Sequence, residues 1–227
     1  MEPEPNASEG APAALAGIES VQIAEVSKIV EDDEQKCSIC FTSSGTYIGN
    51  EIVSCAKCRI AVHQKCYDAK DVNEDEPWYC DACALGADVN TQLCMLCAFP
   101  GGALKKSESD TWVHTLCANW IPEVFVKDIG YGVHKVSLSH LDKKRYRLMC
   151  QMCSTKGACI QCSYGRCASA AHPWCVHHQN KAWTRRVVKT EDGEHIWEMF
   201  CKQHAACVSE PVKPRPKPPP RAEFAPA

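Results

Sequence analysis

The chain has 227 residues, 18 of them cysteine, and a formal net charge of −3. That length suffices for one ordinary domain or several small ones, and no apolar run approaches the roughly 20 residues of a membrane-spanning helix. Cysteine at about 8% marks a fold that depends on disulfides or metal ions for its stability. The charge is unevenly spread: residues 1–93 carry −11, residues 94–204 carry +6 and residues 205–227 carry +2. An acidic first part suits a basic partner, and a basic second half suits a polyanion.

Residues 1–34 read as a disordered, acidic N-terminal segment. Within it, Ile18, Val21, Ile23, Val26, Ile29 and Val30 make a partial helical pattern that is also compatible with a short strand. The start of the chain is acidic and rich in Ala and Pro, with no secretory leader, so a reducing compartment is expected and disulfides are not.

From Cys37 onward, cysteine and histidine recur at metal-ligand spacing. Ten pairs follow in order: Cys37 and Cys40, Cys55 and Cys58, His63 and Cys66, Cys80 and Cys83, Cys94 and Cys97, His114 and Cys117, Cys150 and Cys153, Cys162 and Cys167, His172 and Cys175, and Cys201 and His204. A two-residue gap lets both side chains of a tight turn meet one ion, and two such turns close a tetrahedral shell. Ten pairs therefore make five four-ligand sites, and zinc is the expected ion in each. Disulfides would not require histidine at fixed places among the cysteines. Cys159 and Cys207 are left over; Cys159 could stand in for Cys162, but the Cys162-x4-Cys167 spacing leaves room for one loop and favours Cys162.

The donors fall into modules 37–83, 94–117 and 150–204. In the first, spacing alone leaves open whether consecutive pairs share an ion or alternate pairs do. The stretch 118–149 is too rich in apolar residues for a bare linker, and Val133-x-Lys135-Val136-x-Leu138 points to a strand packed on the zinc modules. The tail 211–221 holds six prolines among basic residues and should be an extended polyproline segment; Pro216-x2-Pro219-x-Arg221 matches a docking pattern for SH3-like grooves, though a stiff linker is the expected reading.

The ligand order of the first module, its four-residue gap from Cys58 to His63, and Trp78 two residues before Cys80 resemble a PHD finger. Further on, Gly101-Gly102-Ala103, Trp112-x-His114-x2-Cys117-Ala118-x-Trp120-Ile121-Pro122-Glu123-Val124 and Gly157-Ala158-Cys159-Ile160-Gln161-Cys162 closely resemble the PHD–zinc knuckle–extended PHD cassette of bromodomain-and-PHD-finger scaffold, Jade and related leukaemia-fusion chromatin proteins. Asp68 departs from the pattern, which usually has Gly there, and Ala56-Lys57 departs from the acidic residue common after the third ligand.

The resemblance implies small zinc-stabilised domains, mostly irregular with short β-strands and short helices. These are a cross-brace PHD finger at 35–86, a zinc knuckle at 91–120, a packed linker at 121–149, a cross-brace extended PHD finger at 150–207 and a Pro-rich basic tail at 208–227. The alternating pairing in each cross-brace comes from the resemblance. A module of this size buries too little apolar surface to fold alone, and each zinc contributes on the order of 10 kcal/mol. With four protein ligands per ion no position is left for a catalytic water, so no catalytic residue is assigned and a non-enzymatic protein is expected.

By the same resemblance, a strand over Asn50, Glu51, Ile52 and Val53 takes an extended peptide, the unmodified N-terminus of histone H3, with its free amine near Asp75, Glu76, Pro77 and Trp78. The residue that commonly forms an aromatic cage wall is Ala61, and the carboxylates of Asp32, Asp33, Glu34 and Glu51 suit an unmethylated lysine. The extended finger is expected to hold nucleosomal DNA without sequence preference through Lys143, Lys144, Arg145, Arg147, Lys156, Arg166, Lys181, Arg185, Arg186 and Lys189. A nuclear protein working with a histone acetyltransferase or methyltransferase complex follows. The alternatives are a RING-like E3 ubiquitin ligase and a purely protein–protein zinc scaffold.

Overall fold

One local turn, repeated four times, builds most of this structure. In the computed structural model, Cys37, Cys55, Cys94 and Cys150 each accept at their carbonyl a hydrogen bond from the amide four residues on, at 2.8–2.9 Å. The donors Phe41, Arg59, Ala98 and Ser154 all have positive φ, between 57° and 65°. Each cysteine amide then donates to the carbonyl five residues on, from Thr42, Ile60, Phe99 and Thr155, at 2.9–3.0 Å. A left-handed backbone costs a residue with a Cβ roughly 1 kcal/mol or more. Here it curls the chain so that both cysteines of a pair face one point. The longer Cys162-x4-Cys167 loop instead places Gly165 in the left-handed region, where glycine carries no such cost.

The described residues are 35–43, 48–69, 72–73, 75–128, 134–179, 183–189 and 195–209, and they belong to the compact unit that starts at Gln35. The helical pattern of 17–30, the acidic run 31–34 and the proline-rich tail lie outside them.

In the first finger β1 (Ile52–Ser54) pairs antiparallel with β2 (Ala61–His63), followed by α1 (Gln64–Tyr67) and α2 (Asp81–Ala84). The strand begins two residues later than the expected Asn50. The Gln64 side chain replaces a backbone partner there: its amide oxygen accepts from the Glu51 N–H at 2.9 Å, and the Gln64 N–H donates to the Glu51 carbonyl at 3.0 Å. Asp68 caps α1 in a left-handed conformation (φ 56°), the place where glycine is favoured, and its carboxylate is bonded to His134.

The knuckle contributes β3 (Leu104–Lys106), β4 (Trp112–His114) and α3 (Thr115–Trp120). The following segment forms a hairpin, β5 (Phe125–Asp128) with β6 (His134–Ser137), and a 3-10 helix at Lys143–Arg147. The extended finger has β7 (Ile160–Gln161) paired with β8 (Ala170–Ala171), then α4 (Pro173–His178), a longer hairpin of β9 (Thr184–Lys189) with β10 (His195–Phe200), and a closing 3-10 helix at Lys202–Ser209.

These sheets are too small to be stable alone, and shared side chains join the modules. Tyr67, 1% exposed, donates its hydroxyl to the Leu104 carbonyl at 2.6 Å and accepts from the Asp81 amide at 3.0 Å. Burial, and then the Asp81 carboxylate, push its phenol well above the usual range, so it stays a donor. Lys105, 4% exposed, bonds Asp81 at 3.2 Å and lies over the Tyr67 ring. A line of ring contacts, stacked at both ends, runs from Phe41 through His177, His178 and Trp174 to His114. It ties the first finger, the extended finger and the knuckle together. Gly102 (φ 66°) lies under this stack, where a Cβ would come within 2.5 Å of Trp174.

Candidate metal centres and peptide edge

The turns bring together five sets of four donors, each with its ligand atoms within 4.8 Å of one another. The sets are Cys37, Cys40, His63 and Cys66; Cys55, Cys58, Cys80 and Cys83; Cys94, Cys97, His114 and Cys117; Cys150, Cys153, His172 and Cys175; and Cys162, Cys167, Cys201 and His204. Both fingers are cross-braced: alternate pairs converge and consecutive pairs do not. Among the described residues no oxygen donor joins any set, and sulfur with imidazole nitrogen is the donor chemistry of structural zinc.

Three further features fit a cation at these points. Every histidine turns Nδ1 toward the sulfurs, at 3.3 Å from Cys40 for His63, 3.3 Å from Cys97 for His114, 3.4 Å from Cys153 for His172 and 3.3 Å from Cys201 for His204. Nδ1 is thus the ligand and Nε2 carries the proton. For His114 that proton goes to the Gly101 carbonyl at 2.8 Å. His63 and His172 leave Nε2 buried without a partner among the described residues. An arrangement that costs on the order of 1–3 kcal/mol per group is tolerated where a metal bond fixes the ring. Finally, the first cysteine of each set accepts a backbone N–H at sulfur, from His63, Cys80, His114, His172 and Cys201 at 3.2–3.4 Å. Such bonds stabilise thiolate. The bond from the Cys66 thiol, with the amides of Cys40, His63 and Ile39, draws Cys37 down to about 4 and pushes Cys66 up.

Cys159 is fully buried but does not belong to the fifth set; its sulfur points to the Leu148 carbonyl at 3.7 Å and interacts with Cys150 of the fourth. Cys162 supplies the donor to the fifth.

The peptide edge can be built from the register. Ile52 pairs with His63, Val53 with Val62 and Ser54 with Ala61. Glu51 bonds with Gln64, and Cys55 bonds with Ile60 at 2.9 Å. Hydrogen bonding in an antiparallel pair alternates, so Val53 faces β2 and the backbone groups of Ile52 and Ser54 face away. They have no backbone partner there among the described residues. At one end of this edge the Ala56 N–H donates to the Trp78 carbonyl at 2.8 Å, and Trp78 stands edge-on to Tyr67. At the other end the Asn50 side chain accepts from the Lys65 amide at 3.0 Å. Glu51 folds its carboxylate onto the Gly49 amide at 3.0 Å, and Glu76 is exposed. The Gln35 side chain reaches Ser54 Oγ at 2.5 Å; Asp32, Asp33 and Glu34 lie outside the described residues.

The basic residues divide into two groups. Lys143, Lys144, Arg147, Lys156 and Arg166 are exposed and have no acidic partner among the described residues. Arg145 instead spends its fork on Glu123, with two bonds of 2.7 Å, and Arg186 is paired with Glu198 and the Val208 carbonyl. Arg185 lies over Phe41 and 3.2 Å from His177. The Lys181 position and the Lys189 side chain lie outside the described residues. Sequence reasoning had no means to separate the two groups, because Glu123 and Glu198 are remote in the chain from the arginines they hold.

Known families match this layout. Residues 49–84 match the PHD-finger family and residues 92–204 the PHD-zinc-finger like domain. The chain is 37% identical to Protein Jade-1 of Xenopus laevis over 177 residues, 77% of this chain and 21% of that protein. It is 36% identical to E3 ubiquitin-protein ligase Jade-2 of Homo sapiens over 191 residues, 81% of this chain and 23% of that one. Histone H3-lysine(4) N-trimethyltransferase ATX1 of Arabidopsis thaliana is 36% identical over 76% of this chain and 17% of its own length. The chain thus spans roughly a fifth of these relatives. The crystal structure of zebrafish PHF14-PZP superposes with a TM-score of 0.58 at 27% identity, covering 75% of this chain and 88% of that one. The expectation of a non-enzymatic protein is corrected here, since two of these relatives carry enzyme names: four closed ligands exclude catalysis at the metal, not in a protein that contains the cassette. The paired finger families, the cross-braced donor sets and the solved neighbour place the chain in the PHD–zinc knuckle–extended PHD family.

Proposed function

We propose that the chain is a nuclear chromatin-reading module in which five zinc ions hold two recognition surfaces in place. The observation that carries this reading is the open edge of β1. Ile52 and Ser54 offer unpaired backbone groups to an extended peptide, which would add as a third, antiparallel strand. Its amine would lie by Glu76, Pro77 and Trp78. An unmodified histone H3 N-terminus fits best. No aromatic residue stands at Ala61 or in Asn50–Ser54 to cage a methylated lysine, and Glu51 with the acidic run Asp32, Asp33 and Glu34 supplies carboxylates. The second surface is the set of unpaired cations Lys143, Lys144, Arg147, Lys156 and Arg166, which suits phosphates. Among the described residues the α-helices span at most six residues, too short for a base-reading helix, so contact is read as positional. Histone-modifying complexes are the expected company of such a module.

The zinc ions, when bound, supply tetrahedral cross-links and no reactive position. Native mass spectrometry should find five zinc ions per chain, with four in Cys162→Ser and five in Cys159→Ser; chelation should abolish near-UV circular dichroism.

Calorimetric titration with an unmodified H3 N-terminal peptide should give one site. Trimethylation of its fourth residue, or Ser54→Pro, which removes one outward N–H and leaves the β1–β2 ladder intact, should weaken binding at least tenfold. Tighter binding of the trimethylated peptide would contradict the reading.

In a gel shift, Lys143→Glu with Lys144→Glu and Arg147→Glu should abolish DNA retention, and the wild-type affinity should fall steeply with salt. Unchanged retention removes this face from the site.

The names of the Jade-2 relatives support a second reading, a ubiquitin-ligase function in which the cassette docks a conjugating enzyme. Autoubiquitination with purified conjugating enzymes tests it, and a chain that reads histones alone gives no product.

A further inference from the structure

The extended finger repeats the layout of the first, and the two differ at one edge. Counting back from Cys162 and Cys55 places Cys159 at the position of Ile52, and Gln161 at that of Ser54. The register agrees. Ile160 pairs with Ala171 and Gln161 with Ala170, and the Cys162 N–H donates to the Ser169 carbonyl at 2.8 Å. Bonds to β8 therefore alternate through Ile160 and Cys162, and Cys159 and Gln161 face out. The far end matches too: the Ser163 N–H donates to the Met199 carbonyl at 2.7 Å, as Ala56 does to Trp78 at 2.8 Å.

On the first finger this outward edge is open. On the extended finger it is filled from within the chain. The Cys159 carbonyl accepts from Arg145 Nη1 at 2.9 Å. The Gly157 N–H donates to the Leu148 carbonyl at 3.3 Å and the Ala158 N–H to the Leu96 carbonyl at 2.7 Å. Arg145 is itself clamped, since Nε and Nη2 each bond Glu123 at 2.7 Å. Between this clamp and Met199 only Gln161 faces outward, and one residue cannot support a ladder.

We infer that Arg145, clamped by Glu123, is an edge cap that closes the extended finger to strand addition and confines recognition of an extended peptide to β1. It is a specificity residue built against a second binding edge, using a cover of the kind that keeps exposed strand edges from pairing. The cap rests on contacts within the chain; only its consequence for peptides rests on the proposed reading of β1.

The two can be tested apart by amide NMR on the zinc-loaded chain. Hydrogen exchange at Gly157 and Ala158 should be slow in the wild type. It should be at least tenfold faster in Arg145→Lys, which keeps the charge and loses the fork, with exchange at Val53 and Val62 unchanged; Glu123→Gln serves if that variant loses zinc. On titration with unmodified H3 peptide, wild-type shifts should be confined to Glu51–Ser54 and to Glu76 and Trp78, and Arg145→Lys should add a weaker set at Gly157–Gln161. Wild-type shifts at Gly157–Gln161, or unchanged exchange in both variants, overturn the cap. Faster exchange in the variant with no peptide shifts anywhere upholds the cap and removes the reading of β1.

Discussion

Convergence of four soft donors on one point, five times over, is the constraint on which every other feature depends. Among the described residues the longest strand pair is six residues long and the α-helices are shorter than two turns, so neither sheets nor helices can hold the chain by themselves. The left-handed turns after Cys40, Cys58, Cys97 and Cys153 are unfavourable as isolated backbone, and buried thiols crowd one another. A bound divalent cation reverses both effects: it takes up thiolate charge, and it makes the strained turn the one geometry in which all four donors reach it. The stability of the module and the occupancy of its sites are then one quantity.

Cross-bracing adds a second consequence. Because alternate pairs share an ion, β1 is trapped between two sites, with Cys55 at its end and His63 on its partner strand. The strand cannot fray independently, so its outward backbone groups stay aligned. The three modules are fixed to each other through Tyr67, Lys105 and the ring stack that ends on His114. On the proposed reading, a surface on the first finger and a surface on the extended finger would meet one nucleosome as a rigid pair, which would raise avidity over either alone.

Much of this was legible in the amino-acid sequence. The donors follow from spacing, since closely spaced cysteine and histidine pairs have few other uses in tenfold repetition, and the β6 strand follows from the alternation around Val136. The interleaving was legible only through family resemblance, because eight donors in four pairs permit either pairing. Local residue types could not show which cations stay free. Arg145 and Arg147 look alike in the chain, yet one is clamped by Glu123 and the other is exposed. Nor could they show the left-handed residues, because Phe41, Arg59 and Ala98 are not residues that turns usually select. They adopt φ near 60° because the pair of cysteines just before each of them requires it.

The central claim is that the metal sites hold the β1 edge open to an extended peptide, and a structure of the zinc-loaded chain with an unmodified H3 N-terminal peptide tests it most directly. The account predicts the peptide as a third antiparallel strand bonded to Ile52 and Ser54, its amine beside Pro77 and Trp78, with residues Gly157–Gln161 uncontacted. A peptide bound elsewhere, or lying along the extended finger's strand in place of Arg145, contradicts it.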